Sequence, residues 1–419
     1  MSTARRIIHV PRRFVAHEWG GTETVIAELL REQGEQGWDP EIHTSMALSD
    51  QHREAYQGLE IHRYDYCYPF FGLNAEQRLA MDKKGGNLLS WSLFRGLWRR
   101  PDVRLFHAHA LKRLGGEVFT VARMRKKPFV VTLHGGIFDV PAAEVAQLTE
   151  AQSGKFEWGR AFGALLRSRR ILHEADAVIC VGASEADKAR AELGHDRVHR
   201  LGNGVDPDRF AGGDGAAFRS AHGLPADAVI FACISRLDPQ KDQLTLVEAF
   251  DRIAGEIGNA HLVLAGPATA ATYVAQLSQR IATSPHADRI HQLGSIDPAG
   301  RDLADALAGI DVFVLPSRHE PFGIVVLEAW SANRPVIVSR VGGLQTLVQE
   351  NENGAFFPAG DSATLATQMR ELGADADKRR AWGEAGAREA RAKHTWQQIA
   401  ARTEEIYLAA EERVAARGT

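Results

Sequence analysis

The chain predicts an α/β fold with parallel sheets, divided into two successive domains, and three observations carry that reading. Apolar runs of strand length alternate with helix-periodic stretches nearly throughout, the pattern of repeated βα units. The length of 419 residues suits two domains, or three. Midway, the turn-rich string Gly202-Asn203-Gly204-Val205-Asp206, followed by Gly212-Gly213-Asp214-Gly215, interrupts the alternation and marks a boundary.

Taken in order, strands are expected at Arg6–Val10, Pro40–Thr44, Val103–Ala108, Pro128–Leu133, Ala177–Val181 and Val198–Leu201 in the first half. The second half adds Val229–Ile234, His261–Ala265, Ile290–Leu293, Val312–Leu315, Pro335–Val338 and Gly354–Phe357. Amphipathic helices fill the intervals. Thr22–Gln33 carries Val25, Ile26, Leu29 and Leu30 on one face, with Gly34 expected as its stop. Leu344–Glu350 reads as a shorter helix, and the tail from Trp396 to about Val414 as one long helix outside either sheet. The domains are therefore drawn as 1–204 and 205–394, with 395–419 as a closing helix.

Apolar content of 44% with 25% charged residues fits a globular protein with a full core. No run approaches the roughly 18 to 20 apolar residues of a membrane helix, and the four-residue run Ile7–Val10 is too short for a signal peptide. Cys67, Cys180 and Cys233 stand singly, without metal-ligand spacing, as reduced thiols of a cytoplasmic protein would. The net charge of −3 divides into about +4 over residues 1–204 and −7 over the rest. A basic first half suits an anionic acceptor or a membrane surface, and ordinary solvated charge explains it equally. Lys83–Arg100, with Trp91, Leu93, Phe94, Leu97 and Trp98 among arginines, reads either as a surface helix with its apolar side in the core or as a peripheral membrane contact.

The most informative stretch is Ser317–Glu328. Glu320 follows the apolar strand Val312–Leu315, Pro321-Phe322-Gly323 makes a turn, and Glu328 lies eight residues beyond Glu320 on the next helix. Ligands of open α/β sheets bind beyond the carboxyl ends of strands, and helix N-termini offer free N–H groups to phosphate. Carboxylates on either side of such a phosphate suit hydroxyl groups, so the segment points to a sugar joined to a nucleotide through a diphosphate. Arg236 and Lys241, five residues apart after the strand Val229–Ile234, supply countercharge for that diphosphate. His134-Gly135-Gly136 ends the strand before it, where an imidazole beside glycines suits a cleft, though a structural histidine fits as well. Of Phe106-His107-Ala108-His109, His109 is the one expected to face an acceptor, and His107 to pack. Gly20-Gly21, with Glu18 before it, and Gly342-Gly343 open helices as ligand contacts or as plain turns. Gly266 with Pro267-Ala268, and Gly294-Ser295-Ile296, end strands as edges of a nucleotide-base site or as plain turns. Asp206-Pro207-Asp208 and Asp375-Ala376-Asp377 have the spacing of metal ligands but lie in a turn and a polar helix, and no P-loop or convincing G-x-G-x-x-G occurs. No metal, cofactor or nucleic acid is expected.

With these residues in place, the chain resembles the retaining nucleotide-sugar glycosyltransferases of GT-B fold over nearly its whole length. Gly20-Gly21 resembles the first glycine loop of that family, Thr132-Leu133-His134-Gly135 its cleft histidine, and Asn203-Gly204-Val205-Asp206 its crossover. Arg236 with Lys241 matches the diphosphate pair, Glu320 with Glu328 the E-x7-E motif, and His394-Thr395-Trp396 with Glu404-Glu405-Ile406-Tyr407 the closing helix. The resemblance implies two facing Rossmann-like domains with a central cleft, and a closing helix that returns to the first. It implies that Arg236 and Lys241 neutralise the leaving diphosphate without a metal, and that Glu320 and His134 contact the donor sugar. The backbone of Phe322, Gly323, Ile324 and Val325 would hold sugar hydroxyls and phosphate, and Glu328 the ribose. A hexose would pass from a UDP-, GDP- or ADP-sugar to an acceptor hydroxyl on a glycolipid, polysaccharide or small molecule, with retained configuration. A nucleotide-sugar epimerase of the same fold, or a binding protein that has lost its chemistry, are the alternatives. The segment Phe138–Arg170, with Phe156, Trp158 and Phe162, matches no motif and is left unassigned, with the shaping of an acceptor pocket as one role open to it.

Overall fold

The computed structural model describes residues 5–138, 154–297 and 300–417. Within it the chain forms two compact units: Met1–Gly202 with Trp396–Thr419, and Asn203–Thr395.

The first unit is built on an eight-stranded sheet: β1 (Arg5–Val10), β2 (Trp38–Ser45), β3 (Arg53–Tyr56), β4 (Leu59–Tyr64), β5 (Val103–Ala108), β6 (Phe129–Leu133), β7 (Ala177–Cys180) and β8 (Val198–Arg200). Their spatial order is β3-β4-β2-β1-β5-β6-β7-β8. Every pairing is parallel except β3 with β4. This edge hairpin is absent from the sequence reading. Its strands, Arg-Glu-Ala-Tyr and Leu-Glu-Ile-His-Arg-Tyr, mix charge with apolar residues and so carry no continuous hydrophobic run. Central strands, covered on both faces, read clearly because almost every position is apolar.

One face of this sheet packs Leu93, Leu97, Leu114, Val118 and Phe119, and the other packs Phe14, Ile26 and Leu30 around Ile42 and Ile61. The Gly21–Glu35 helix buries Val25, Ile26, Leu29 and Leu30, as its periodicity requires. It runs through Gly34, which therefore is not its stop; the fixed apolar face outweighs the roughly 1 kcal/mol a helical glycine costs. The Trp396–Arg417 helix belongs to this unit, with Ala400, Tyr407 and Ala410 fully buried. Ion pairs Arg5–Glu404 and Arg104–Glu411 fasten it to β1 and β5.

The basic aromatic stretch forms a helix only over Trp91–Trp98, shorter than its charge pattern suggests, because Ser90 caps it at Leu93 N. Leu93 and Leu97 enter the core while Trp91 and Trp98 stay about half exposed. Trp91 meets Phe162 edge-on, and Phe71 stacks on Phe156. Of the unassigned segment Phe138–Arg170, residues 139–153 lie outside the described residues. Among the described residues, no helix is long and apolar enough to cross a membrane.

The second unit holds β9 (Val229–Ile234), β10 (Ala260–Ala265), β11 (Ile290–Gln292), β12 (Val312–Leu315), β13 (Val336–Ser339) and β14 (Gly354–Phe357). All pair in parallel, in the order β11-β10-β9-β12-β13-β14. This is the doubly wound order in which the chain reverses direction between β9 and β12, leaving a crevice beyond their carboxyl ends. Leu246, Phe250, Leu277, Leu365 and Met369 pack one face of the sheet. The two Asp-x-Asp strings are helix starts. Asp206 accepts from Asp208 N and Arg209 N at 3.0 and 3.3 Å, and Asp375 from Lys378 N at 2.8 Å. The helix expected at Leu344–Glu350 stops at Leu347.

Candidate functional site

Two loops leave the carboxyl ends of β9 and β12 at the reversal point, and the structure ties them together. Gln240 accepts from Arg318 N at 2.7 Å through its carbonyl, and its side chain donates to His319 O at 3.0 Å. Lys241 Nζ bonds Glu320 Oε2, and both side chains are buried. Ser317 Oγ reaches the same carboxylate oxygen at 3.4 Å. Arg318 pairs with Asp242, whose left-handed backbone (φ 48°) starts the Gln243–Ile253 helix. A buried lysine and glutamate in contact fix one another, since either alone would be an uncompensated charge.

Arg236 stands beside this pair. It bonds Gln240 Oε1 at 3.2 Å and pairs with Asp238 at 3.2 Å, with its side chain 40% exposed. Two cations, one buried and one half-exposed, thus sit on one strand-to-helix loop next to Glu320.

Gly323 (φ 100°) turns the chain into the Ile324–Ser331 helix. The first N–H groups of any helix have no intrahelical partner, so Ile324 and Val325 offer amides at this point. Glu328, four residues after Ile324, lies over the same face. Among the described residues its carboxylate has no hydrogen-bond partner, and burial pushes it up to about 7 against the weak counter-pull of Arg209.

Gly342 and Gly343 pack against the turn that carries Glu320. A Cβ on Gly342 would stand 2.1 Å from Glu320 O, and one on Gly343 would stand 2.2 Å from Pro321 O. Gly343 N donates to Glu320 O at 2.9 Å. The glycine pair is the seat on which the Glu320–Phe322 turn rests. Gly266 (φ 139°) plays a similar part, since a Cβ there would fall 2.0 Å from Ser235 O. Phe322 is buried, with its ring near His394.

A pocket of about 560 Å³ opens beyond β9, β10 and β11, lined among others by Leu237, Gly266, Pro267, Ala268, Gly294 and Ser295. The two glycine-bearing loops expected at a base do converge here; Ile296 lies outside the lining.

In the first unit the corresponding reversal falls between β1 and β5. Gly20 caps the Gly21–Glu35 helix after β1 and donates its N–H to Glu23 Oε2 at 3.1 Å. Histidines crowd the strand ends. His134 Nε2 lies 2.9 Å from His109 Nδ1, and His109 Nε2 lies 3.0 Å from His9 Nδ1. His109 therefore has both ring nitrogens within hydrogen-bond distance of neighbouring histidines. Burial pushes His9 down to about 3 and His134 to about 4, and holds His107 and His109 well below the usual imidazole range. His9 and Gln33 escape the motif-based reading. The available signal was a histidine inside the buried strand Arg5–Val10, which must find partners.

Known proteins share this fold. Residues 19–209 match the family model described as Glycosyltransferase Family 4, and residues 215–389 that of Glycosyl transferases group 1. D-inositol 3-phosphate glycosyltransferase of Geodermatophilus obscurus is 28% identical over 96% of this chain and 87% of its own length. The enzyme of the same name from Stackebrandtia nassauensis is 33% identical over 57% of this chain and 55% of its own. HepE of Anabaena in complex with UDP superposes with a TM-score of 0.72 at 18% identity, covering 96% of this chain and 98% of that one. Sucrose-phosphate synthase from Thermosynechococcus elongatus gives 0.69 at 22% identity, covering 96% and 98%. Fold and paired domains define a nucleotide-sugar glycosyltransferase of GT-B type. Its first half is a Glycosyltransferase Family 4 domain and its second a Glycosyl transferases group 1 domain.

Proposed function

We propose that the chain transfers a hexosyl group from a nucleoside diphosphate sugar to an acceptor hydroxyl, with retained anomeric configuration and without a metal. The observation that carries this reading is the Lys241–Glu320 pair with Arg236 beside it, at the reversal point of a doubly wound sheet. Loss of a nucleoside diphosphate is chiefly a problem of stabilising developing negative charge, and fixed donors in a buried site meet it without reorganisation. In this scheme Arg236, Lys241 and the amides of Gly323, Ile324 and Val325 hold the diphosphate. Glu320 and His134 contact the sugar, and Glu328 accepts from the ribose hydroxyls. The Gly266–Ser295 pocket takes the base. With the leaving phosphate held on the departing face, it can accept the acceptor's proton there, which favours retention.

The names of the relatives nominate D-inositol 3-phosphate as a first acceptor to test, and the bound UDP in HepE nominates UDP-sugars as first donors. Purified protein is to be screened with UDP-, GDP- and ADP-sugars for thermal stabilisation. A ligand at 100 times its Kd raises apparent stability by about 2.7 kcal/mol. The stabilising donor is then followed for release of nucleoside diphosphate, with the product's anomeric configuration read by NMR. Lys241→Ala and Glu320→Ala are each expected to lower kcat by about 100-fold or more while the far-UV spectrum is kept. Wild-type turnover in either folded variant sinks the site, and an inverted product sinks retention.

A further inference from the structure

Behind His134 the first unit contains a continuous run of hydrogen bonds. His134 Nε2 meets His109 Nδ1 at 2.9 Å, His109 Nε2 meets His9 Nδ1 at 3.0 Å, and His9 Nε2 meets Gln33 Oε1 at 2.9 Å. Gln33 Nε2 then donates to Tyr407 OH at 3.0 Å. The phenol lies 2.6 Å from His107 Nδ1, and His107 Nε2 lies 2.7 Å from Thr132 Oγ1. His9, Gln33, His107 and Tyr407 are all essentially inaccessible to water.

Buried neutral imidazoles carry one N–H and one lone pair each. In such a chain every contact needs one donor and one acceptor, so the orientation of one asymmetric member sets the direction of all the others. The carboxamide of Gln33 is that member. Its oxygen can only accept, so His9 carries its proton on Nε2 and offers Nδ1 as a lone pair. His109 must then donate from Nε2 and accept at Nδ1, and His134 must donate from Nε2. The Nδ1 of His134, which has no hydrogen bond among the described residues, is left as a lone pair. Turning the Gln33 amide over would invert every proton in the row and present Nδ1–H instead.

We propose that Gln33 is a positioning residue that locks His134 as the Nε2–H tautomer through His9 and His109, so that His134 meets the donor sugar as a hydrogen-bond acceptor. Tyr407 anchors the other end of the amide, which links the C-terminal helix to the polarity of sugar recognition. The same group could be read as a metal site, since ligand atoms of His9, His107 and His109 lie within 4.8 Å of one another. The hydrogen bonds already occupy every ring nitrogen of those three residues, which favours the relay. The lock itself stands on the hydrogen bonds alone, and its catalytic consequence rests on the assignment of His134 to the sugar.

The test is long-range 1H–15N NMR of the full chain with ring-labelled histidine, with the His134 signals assigned by their loss in His134→Asn. The wild type is expected to show His134 protonated at Nε2 only; an Nδ1–H tautomer, a mixture or an imidazolium overturns the lock. Gln33→Met, which keeps the shape and removes both bonds, is expected to give a mixture of tautomers and to lower kcat/KM for the donor about tenfold, as loss of a residue orienting a functional histidine does. Gln33→Glu still accepts from His9 and is expected to restore the single tautomer. If Gln33→Glu behaves as Gln33→Met, or if Gln33→Met leaves the tautomer unchanged, the proposal fails. A stoichiometric divalent ion found by elemental analysis in the purified wild type also overturns it. Full turnover in His134→Asn would instead remove His134 from the sugar, leaving the tautomer result as a separate outcome.

Discussion

Glu328 illustrates how one side chain joins stability to function. Burial raises its carboxyl to about 7 from an ordinary value near 4.5, so the folded state holds a proton that the unfolded chain has released between those values. Stability from this residue is full below about pH 4.5 and falls as pH rises through 7, by up to about 3 kcal/mol. Glu328→Gln removes the dependence. Its melting temperature relative to wild type is expected to climb between pH 5 and pH 8, and a difference that ignores pH would contradict the buried carboxyl. In the proposed role of Glu328, ribose hydroxyls would donate to the ionised form, so donor KM in the wild type should rise as pH drops below about 7, and the variant should lack that rise. At the same scale, Lys241 and Glu320 were legible as charges at the right spacing, but not as partners of each other. Their contact depends on two loops, 79 residues apart in sequence, being brought side by side by β9 and β12.

Among the elements, the turn before the Ile324–Ser331 helix depends on its neighbour. Gly342 has a φ of 45°, and a Cβ there would collide with the carbonyl of Glu320. Gly342→Ala should cost about 1 to 3 kcal/mol and, by displacing Glu320, lower kcat as well. Gly255→Ala, which meets nothing within 4 Å, is the control that should leave both unchanged. Equal melting temperatures for the two variants would show that the seat is not needed. The glycine pair was visible in the sequence as a helix opening. Its true neighbour was not, because the contact is with a carbonyl and carbonyls carry no sequence signature. The β3–β4 edge hairpin was missed for a related reason: an edge exposed to water mixes polar and apolar side chains, and periodicity fades.

For the whole molecule, the C-terminal helix is the decisive element. Ala400, Tyr407 and Ala410 are fully buried in the first unit, and Tyr407 holds Gln33 and His107. A chain ending at Thr395 is expected to lose amide protection across β1 and β5 while β9 and β12 keep theirs, as read by hydrogen exchange. Unchanged protection of β1 and β5 would mean that the helix is an appendage.

Taken by itself, the amino-acid sequence determined the α/β class and nearly all of the central strands, and it singled out the charged residues proposed to hold the donor. Buried parallel strands are continuous apolar runs, and charges beside such runs stand out against them. The tertiary structure alone decided which charges are neighbours, why the glycines are glycines, and that His9, Gln33 and Tyr407 form one row behind His134. Those facts depend on strand order and on the return of the last helix to the first unit. Both are fixed by packing of surfaces far apart in the chain, where no local pattern of residues records the meeting.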